Sequence, residues 1–129
     1  PAFGRGRRLG VRRRGARPLS REREMSYRIE YSQAAIRDLD RVWNEVYEAS
    51  KEADIATRYV DGLMDCVAEK RAFPKSGAPL YYENGFTGYY YVVFKAYMAF
   101  YRIVEERILV DRVVFGRSDY MRIIFQDRL

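Results

Sequence analysis

The chain contains no histidine and a single cysteine, Cys66. Without histidine, neither Ser-His-Asp nor Cys-His catalysis can be assembled, and the common proton shuttle near neutral pH is missing. One cysteine forbids an intrachain disulfide, which fits a reducing cytoplasm. A zinc site would have to be built mostly of carboxylates, an unusual composition for zinc. No glycine run of a phosphate-cradling type occurs. No apolar stretch approaches the ~20 residues of a membrane span. The arginine-rich start lacks the apolar segment that a secretory signal requires. The expectation is a cytoplasmic protein with no cofactor, no metal and no membrane attachment.

What remains is a folding sequence. Apolar residues make up 48% and aromatic residues 16% of 129, enough for one domain and too few residues for two cores. Twelve tyrosines suggest a core partly lined by rings whose hydroxyls reach water or a partner.

The net charge of +6 sits in one place. Residues 1–24 hold nine arginines against Glu22 and Glu24, a net of +7, which leaves −1 for residues 25–129. The basic pI, ordinarily a pointer to nucleic acid, therefore belongs to the leader alone. Self-repulsion and the shortage of apolar side chains predict that residues 1–24 are a disordered basic extension. The composition changes at Met25, which is expected to be the natural start. The leader then reads as a spacer or misplaced start, or else as an arm making non-specific contacts with nucleic acid.

From Tyr27 to Tyr31 apolar and charged residues alternate, the pattern of a half-buried strand. Ser32 is placed to cap a helix whose stripe is Ile36, Leu39, Trp43, Val46 and Tyr47. Asp38 with Arg41 and Arg41 with Glu45 have helix-neighbour spacing, and the helix carboxylates are expected on a solvated face. A second stripe, Ala56, Tyr59, Val60, Leu63 and Val67, predicts a helix ending near Phe73, because Pro74 disfavours helix before it. Residues 74–88 carry Pro74, Gly77, Pro79, Gly85 and Gly88 and read as a loop. Tyr89–Phe94, Tyr97–Val104 and Ile108–Phe115 then read as three strands with short connections, an antiparallel meander. Ser118 or Asp119 is placed to cap a short terminal helix with Tyr120, Ile123 and Ile124 inward, a further strand being the competing reading. The expected fold is α+β in two layers, β-α-α-β-β-β plus a short C-terminal element, with a helical hairpin covering a twisted antiparallel sheet.

Cys66 falls beside the second stripe and reads as a small buried hydrophobe. Trp43 reads as core. The remaining chemistry is basic and phenolic. Lys95, Arg102, Arg117 and Tyr120 are the candidate phosphate-gripping and base-stacking set. Against that, Arg102 and Arg112 also fit outward strand positions paired with Glu105, Glu106 or Asp111, and Arg107 and Arg122 fit solvated charges.

YRIEYSQAAIRDLDRVW (Tyr27–Trp43) resembles the opening of RelE/ParE superfamily toxins from type II toxin–antitoxin systems. AFPKSGAPL (Ala72–Leu80) looks like their Phe-Pro-x-x-Gly segment, and AFYRIVEERILVDRVVFGRSDY (Ala99–Tyr120) like their closing strand pair. The ordered set spans residues 25–129. The resemblance implies a toxin neutralised by a cognate antitoxin, and two activities by branch. RelE-like members are ribosome-dependent mRNA endoribonucleases, for which Lys95, Arg102, Arg117 and Tyr120 would be the catalytic set. ParE-like members bind DNA gyrase, stall it on cleaved DNA and need no catalytic residues. Met98 stands where the nucleases place an arginine early in the third strand, Ser118 where many have a second terminal arginine, and Tyr120 comes early. These departures, with a nearly neutral domain, favour the ParE-like branch, whose familiar role is plasmid stabilisation and growth inhibition.

Overall fold

The structure is a computed structural model that describes residues 26–125. The expectations for the basic leader and for Met25 lie outside the described residues.

Strand β1 (Arg28–Tyr31) leads into helix α1 (Gln33–Ser50) and helix α2 (Ala53–Ala68). A single 3-10 turn (Pro74–Ser76) precedes β2 (Ala78–Tyr82), β3 (Gly85–Phe94), β4 (Tyr97–Val104) and β5 (Arg107–Phe115), and α3 (Tyr120–Phe125) closes the described chain. The sheet order is β1-β5-β4-β3-β2, with β1 parallel to β5 and every other pair antiparallel. The meander and the covering hairpin are as the periodicity predicts.

Ser32 caps α1 by accepting the Ala35 N–H at 3.0 Å, and its hydroxyl donates to the Asp111 carbonyl at 2.8 Å. The cap thus ties the helix start to β5 as well as satisfying an orphan donor. At the other end Lys51 turns left-handed (φ 62°) and donates its N–H to the Tyr47 carbonyl, which stops the helix.

The stripe of α2 is the predicted one, with Ala56, Val60, Leu63 and Val67 buried. That of α1 is rotated. Ala35, Asp38, Leu39 and Val42 face inward, and Ile36 is 46% exposed. The cause is Asp38, expected on the solvated face but 1% exposed, which is drawn inward by partners on β5. Helix α2 ends at Ala68 and not near Phe73. After Val67 the next inward positions are Lys70 and Arg71, which have nothing to bury, and their N–H groups tighten onto Val67 and Ala68.

The region read as a loop over 74–88 contains β2 and the start of β3. Glu83 and Asn84 both have positive φ (52° and 70°), the geometry of a two-residue hairpin turn. The register slips between Pro79 and Tyr81. Thr87 repairs the slip by donating its hydroxyl to the Leu80 carbonyl (2.8 Å) and accepting the Tyr89 N–H (3.1 Å).

The sheet is apolar on both faces. Leu39, Val42, Val60, Leu63, Tyr101 and Val113 belong to the core under the hairpin. On the other face Leu80, Tyr89, Met98, Phe100 and Val114 form a second cluster, against which Tyr120, Ile123, Ile124 and Phe125 of α3 pack. These helix side chains are only partly buried, so each contributes less than the ~1.5–3 kcal/mol of full burial, and it is their combined contact that holds the six-residue helix on the sheet. The terminal element is therefore a helix, opened by Asp119, whose carbonyl accepts the Ile123 N–H at 3.2 Å.

Candidate functional site

The four residues singled out for phosphate and base contact lie on three different parts of the fold. Lys95 occupies the β3–β4 turn in a left-handed conformation (φ 53°), with its Nζ 5.4 Å from the centre of the Phe94 ring. Arg117 is exposed in the turn after β5. The Gly116 N–H donates to the Ala96 carbonyl at 2.8 Å, so Lys95 and Arg117 flank the same end of the sheet. Tyr120 opens α3, and its ring lies 5.4 Å from that of Phe100 on the second face.

Arg102 is set apart from them. From Tyr97 to Arg102 strand β4 advances roughly 17 Å at about 3.4 Å per residue. There the Arg102 Nε donates to Asp111 Oδ2 at 2.8 Å, and the Tyr89 hydroxyl donates to the same oxygen at 2.6 Å. The hydrogen bond to Asp111 holds the guanidinium above its ordinary pKa in spite of desolvation. A bulge makes this cluster possible. Phe100 pairs with Arg112 and Tyr101 with Val110, which leaves Asp111 as the extra residue of β5. Of the candidate pairings for Arg102, Asp111 is the partner.

Arg112 instead reaches α1, where its Nε and terminal nitrogen donate to Asp38 Oδ2 (2.7 Å) and Oδ1 (3.0 Å). Arg122 is a solvated surface charge, 76% exposed and 3.4 Å from Asp119, whereas Arg107 is less exposed and paired with Glu30 at 2.8 Å. Both of these are partly exposed pairs, worth ~0–1 kcal/mol each.

Cys66 is half-buried on α2. Burial pushes its thiol up in pKa, with Glu69 and Asp65 adding to the effect, which is the opposite of what a nucleophile needs. Trp43 packs against the core, donates its ring N–H to the Thr57 hydroxyl at 3.0 Å and stacks on Tyr47. Among the described residues no three acidic, cysteine or histidine side chains gather as a metal site, and no helix is long and apolar enough to cross a membrane.

Two features escaped the sequence. One is the part played by Tyr89, whose hydroxyl joins the anticipated Arg102–Asp111 pair. The other is an aromatic surface beside a groove of about 430 Å³ near Phe73 and Ile103.

The fold of a helical hairpin over an antiparallel meander has solved likenesses. The chromosomal ParDE toxin–antitoxin system of P. aeruginosa aligns with a TM-score of 0.59 and 17% identity over 70% of this chain and 97% of that one. An arginine-substituted mutant of the E. coli toxin RelE, in the free state, aligns with a TM-score of 0.55 and 15% identity over 81% and 99%. Both are likenesses of fold. No curated protein matches the chain significantly. The sequence profile of the ParE toxin of the type II toxin–antitoxin system parDE matches residues 29–120. The chain belongs to the ParE toxin family of type II toxin–antitoxin systems.

Proposed function

We propose that the protein arrests growth without a catalytic step of its own, by binding DNA gyrase and holding it on cleaved DNA, and that a cognate antitoxin keeps it silent. The observation that carries this reading is the dispersal of the cations. Cleaving RNA without histidine or metal demands closely gathered positive charge to stabilise the transition state. Here Arg102 is neutralised by Asp111, and Lys95 and Arg117 lie at the far end of the strand. The protein instead offers exposed apolar side chains, Tyr81, Phe86, Val93 and Phe115 among them, which suit binding to another protein.

The test is induction of the full chain in cells, with the DNA-damage response and translation followed in parallel. Filamentation with gyrase-linked DNA breaks is the expected outcome. Rapid mRNA cleavage with intact chromosomes would overturn it in favour of a ribosome-dependent endoribonuclease. Any binding to nucleic acid should draw most of its salt dependence from the arginines of residues 1–24.

A further inference from the structure

The chain enters the described fold through the wall of a groove. Ser26 and Tyr27 line an opening of about 430 Å³, together with Phe73, Lys75, Ile103 and Glu106. Tyr27 is fastened there twice. Its N–H donates to the Arg71 carbonyl at 3.0 Å, and its own carbonyl accepts the Arg71 Nε at 3.0 Å. The chain N-terminal to Ser26 therefore starts at the groove's edge, from an anchored point. Phe73 is 69% exposed, so its ring is left uncovered by the described residues.

The groove carries opposite charges on separate elements. Glu106 stands in the β4–β5 turn, where its carbonyl accepts the Arg28 N–H at 3.2 Å. Lys75 stands on the 3-10 turn, and Arg71 is held close by through Tyr27. None of Arg71, Lys75 and Glu106 forms an ion pair among the described residues. The leader is divided in its charge too. Residues 1–18 hold seven arginines and no acid, whereas residues 19–25 hold Arg21 and Arg23 against Glu22 and Glu24 and sum to zero. In an extended segment alternate side chains point to opposite sides, so both arginines share one side and both glutamates the other. Leu19 closes this neutral stretch with an apolar side chain.

We infer that residues 19–25 fold back into the groove, Leu19 lodging against Phe73 and Ile103, the two arginines facing Glu106, and the two glutamates facing Arg71 and Lys75. Seven extended residues reach about 24 Å, ample for an opening of this size. Tethering favours this occupant over a separate molecule. A short flexible linker sets an effective concentration in the mM range, so a contact of only ~mM affinity is made about half the time. Any other molecule that uses the groove must displace the segment first, and its apparent affinity falls with the fraction of chains in which the groove is open. The inference goes beyond the proposed function and holds whatever the toxin's target.

The test is paramagnetic broadening in the full chain, with Cys66→Ala removing the native thiol and a nitroxide attached at Ser20→Cys, next to Leu19. Amides of Phe73–Ser76 and Ile103–Glu106 should broaden strongly, and those of Asp40–Glu48 on α1 should not. Leu19→Ser and Phe73→Ala should each cut the closed-to-open ratio roughly tenfold, and the broadening with it. Lys75→Glu should weaken the broadening as well. Adding Glu22→Lys and Glu24→Lys to that variant should restore it, a rescue that a loose tether does not give. Leu19 lies outside the described residues, so Leu19→Ser reads the contact whatever Phe73→Ala does to stability. Groove broadening that survives Leu19→Ser and the charge reversal, broadening centred on α1 and α2, or none at the groove overturns the inference. So does broadening passed between separate chains in a mixture of spin-labelled and isotope-enriched protein, which would make the occupant a second copy.

Discussion

Asp38 on α1 and Arg112 on β5 form a two-pronged pair, with Arg112 Nε and a terminal nitrogen 2.7 and 3.0 Å from the two carboxylate oxygens. The same carboxylate accepts the Val113 N–H at 2.8 Å and Arg41 at 2.9 Å. Every lone pair directed inward is used, which is what makes a buried carboxylate tolerable between two layers. Arg41 extends the clasp by donating to the Val113 carbonyl at 3.2 Å.

Asp38→Ala should therefore destabilise the fold by about 3 kcal/mol, since it orphans the Val113 N–H and leaves Arg112 without its partner. Chemical denaturation measures this directly, and a loss below about 1 kcal/mol would mean the pair is no more than a surface contact.

The same clasp sets an acid limit. Burial raises the Asp38 pKa, but the hydrogen bonds from Arg112, Val113 and Arg41 outweigh it and hold the carboxyl below its ordinary 3.8. A depressed folded-state pKa contributes stability in full above the unfolded value, and that contribution disappears as pH falls through the folded one. Asp38→Asn should flatten the stability profile below pH ~4 relative to the wild type. An unchanged acid slope would assign the acid sensitivity to other carboxylates.

Gly77 is required by contact and not by its backbone angle. A Cβ at this position would lie 2.2 Å from the Tyr101 hydroxyl oxygen and 3.0 Å from its ring carbon. Tyr101 cannot give way easily, because it is fully buried and tied to Pro74. Gly77→Ala should cost about 1–3 kcal/mol by overpacking. Combining it with Tyr101→Phe, which removes the clashing oxygen, should cost less than the sum of the two single changes. Strict additivity in that cycle would show that Gly77 and Tyr101 do not press on each other.

Periodicity made the larger elements legible, and contacts across the sheet explain what it concealed. Val60, Leu63 and Val67 declare the α2 stripe because every inward position is apolar. The α1 stripe misled because one inward position is Asp38, and its reason for being there lies 74 residues away at Arg112. The hairpin over Ala78–Phe94 was hidden by Pro79 and Gly88, which read as loop punctuation but sit at an edge strand and a register slip. Asn84-Gly85 was the signal that could have exposed it. Of the candidate site, residue types were legible. Their dispersal was not, because the Asp111 bulge and the distance along β4 are properties of pairing and not of composition.

Tyrosine ionisation should be staggered. Burial pushes the Tyr97 phenol well above its ordinary 10.0, reinforced by its hydrogen bond to Glu45, and pushes Tyr101 up to about 12. A raised folded-state pKa means full stabilisation below pH 10 and its loss as pH climbs through the folded value. Alkaline spectrophotometric titration should show a late tyrosinate step that shrinks in Tyr97→Phe, with a stability cost of about 1 kcal/mol at neutral pH. If all tyrosines ionise together near 10, the phenol of Tyr97 is not held by Glu45 in solution.

Replacing the dispersed cations provides the sharpest test of a non-catalytic mechanism. Lys95 and Arg117 are exposed and form no ion pair among the described residues, so Lys95→Ala and Arg117→Ala should fold as the wild type does. Arg102 is 42% exposed at its side chain and paired with a partly buried Asp111, so Arg102→Ala should cost no more than about 1 kcal/mol. Tyr120→Phe keeps the ring that packs on Phe100. A protein that acts by docking should lose little from any of these changes, and growth arrest should stay within about twofold of the wild type at equal soluble levels. A nuclease should respond quite differently, since removing a group that stabilises transition-state charge costs on the order of 10²–10³ in rate. Loss of arrest in Lys95→Ala or Arg117→Ala, with melting temperature unchanged, would therefore count against a mechanism that does not depend on these cations.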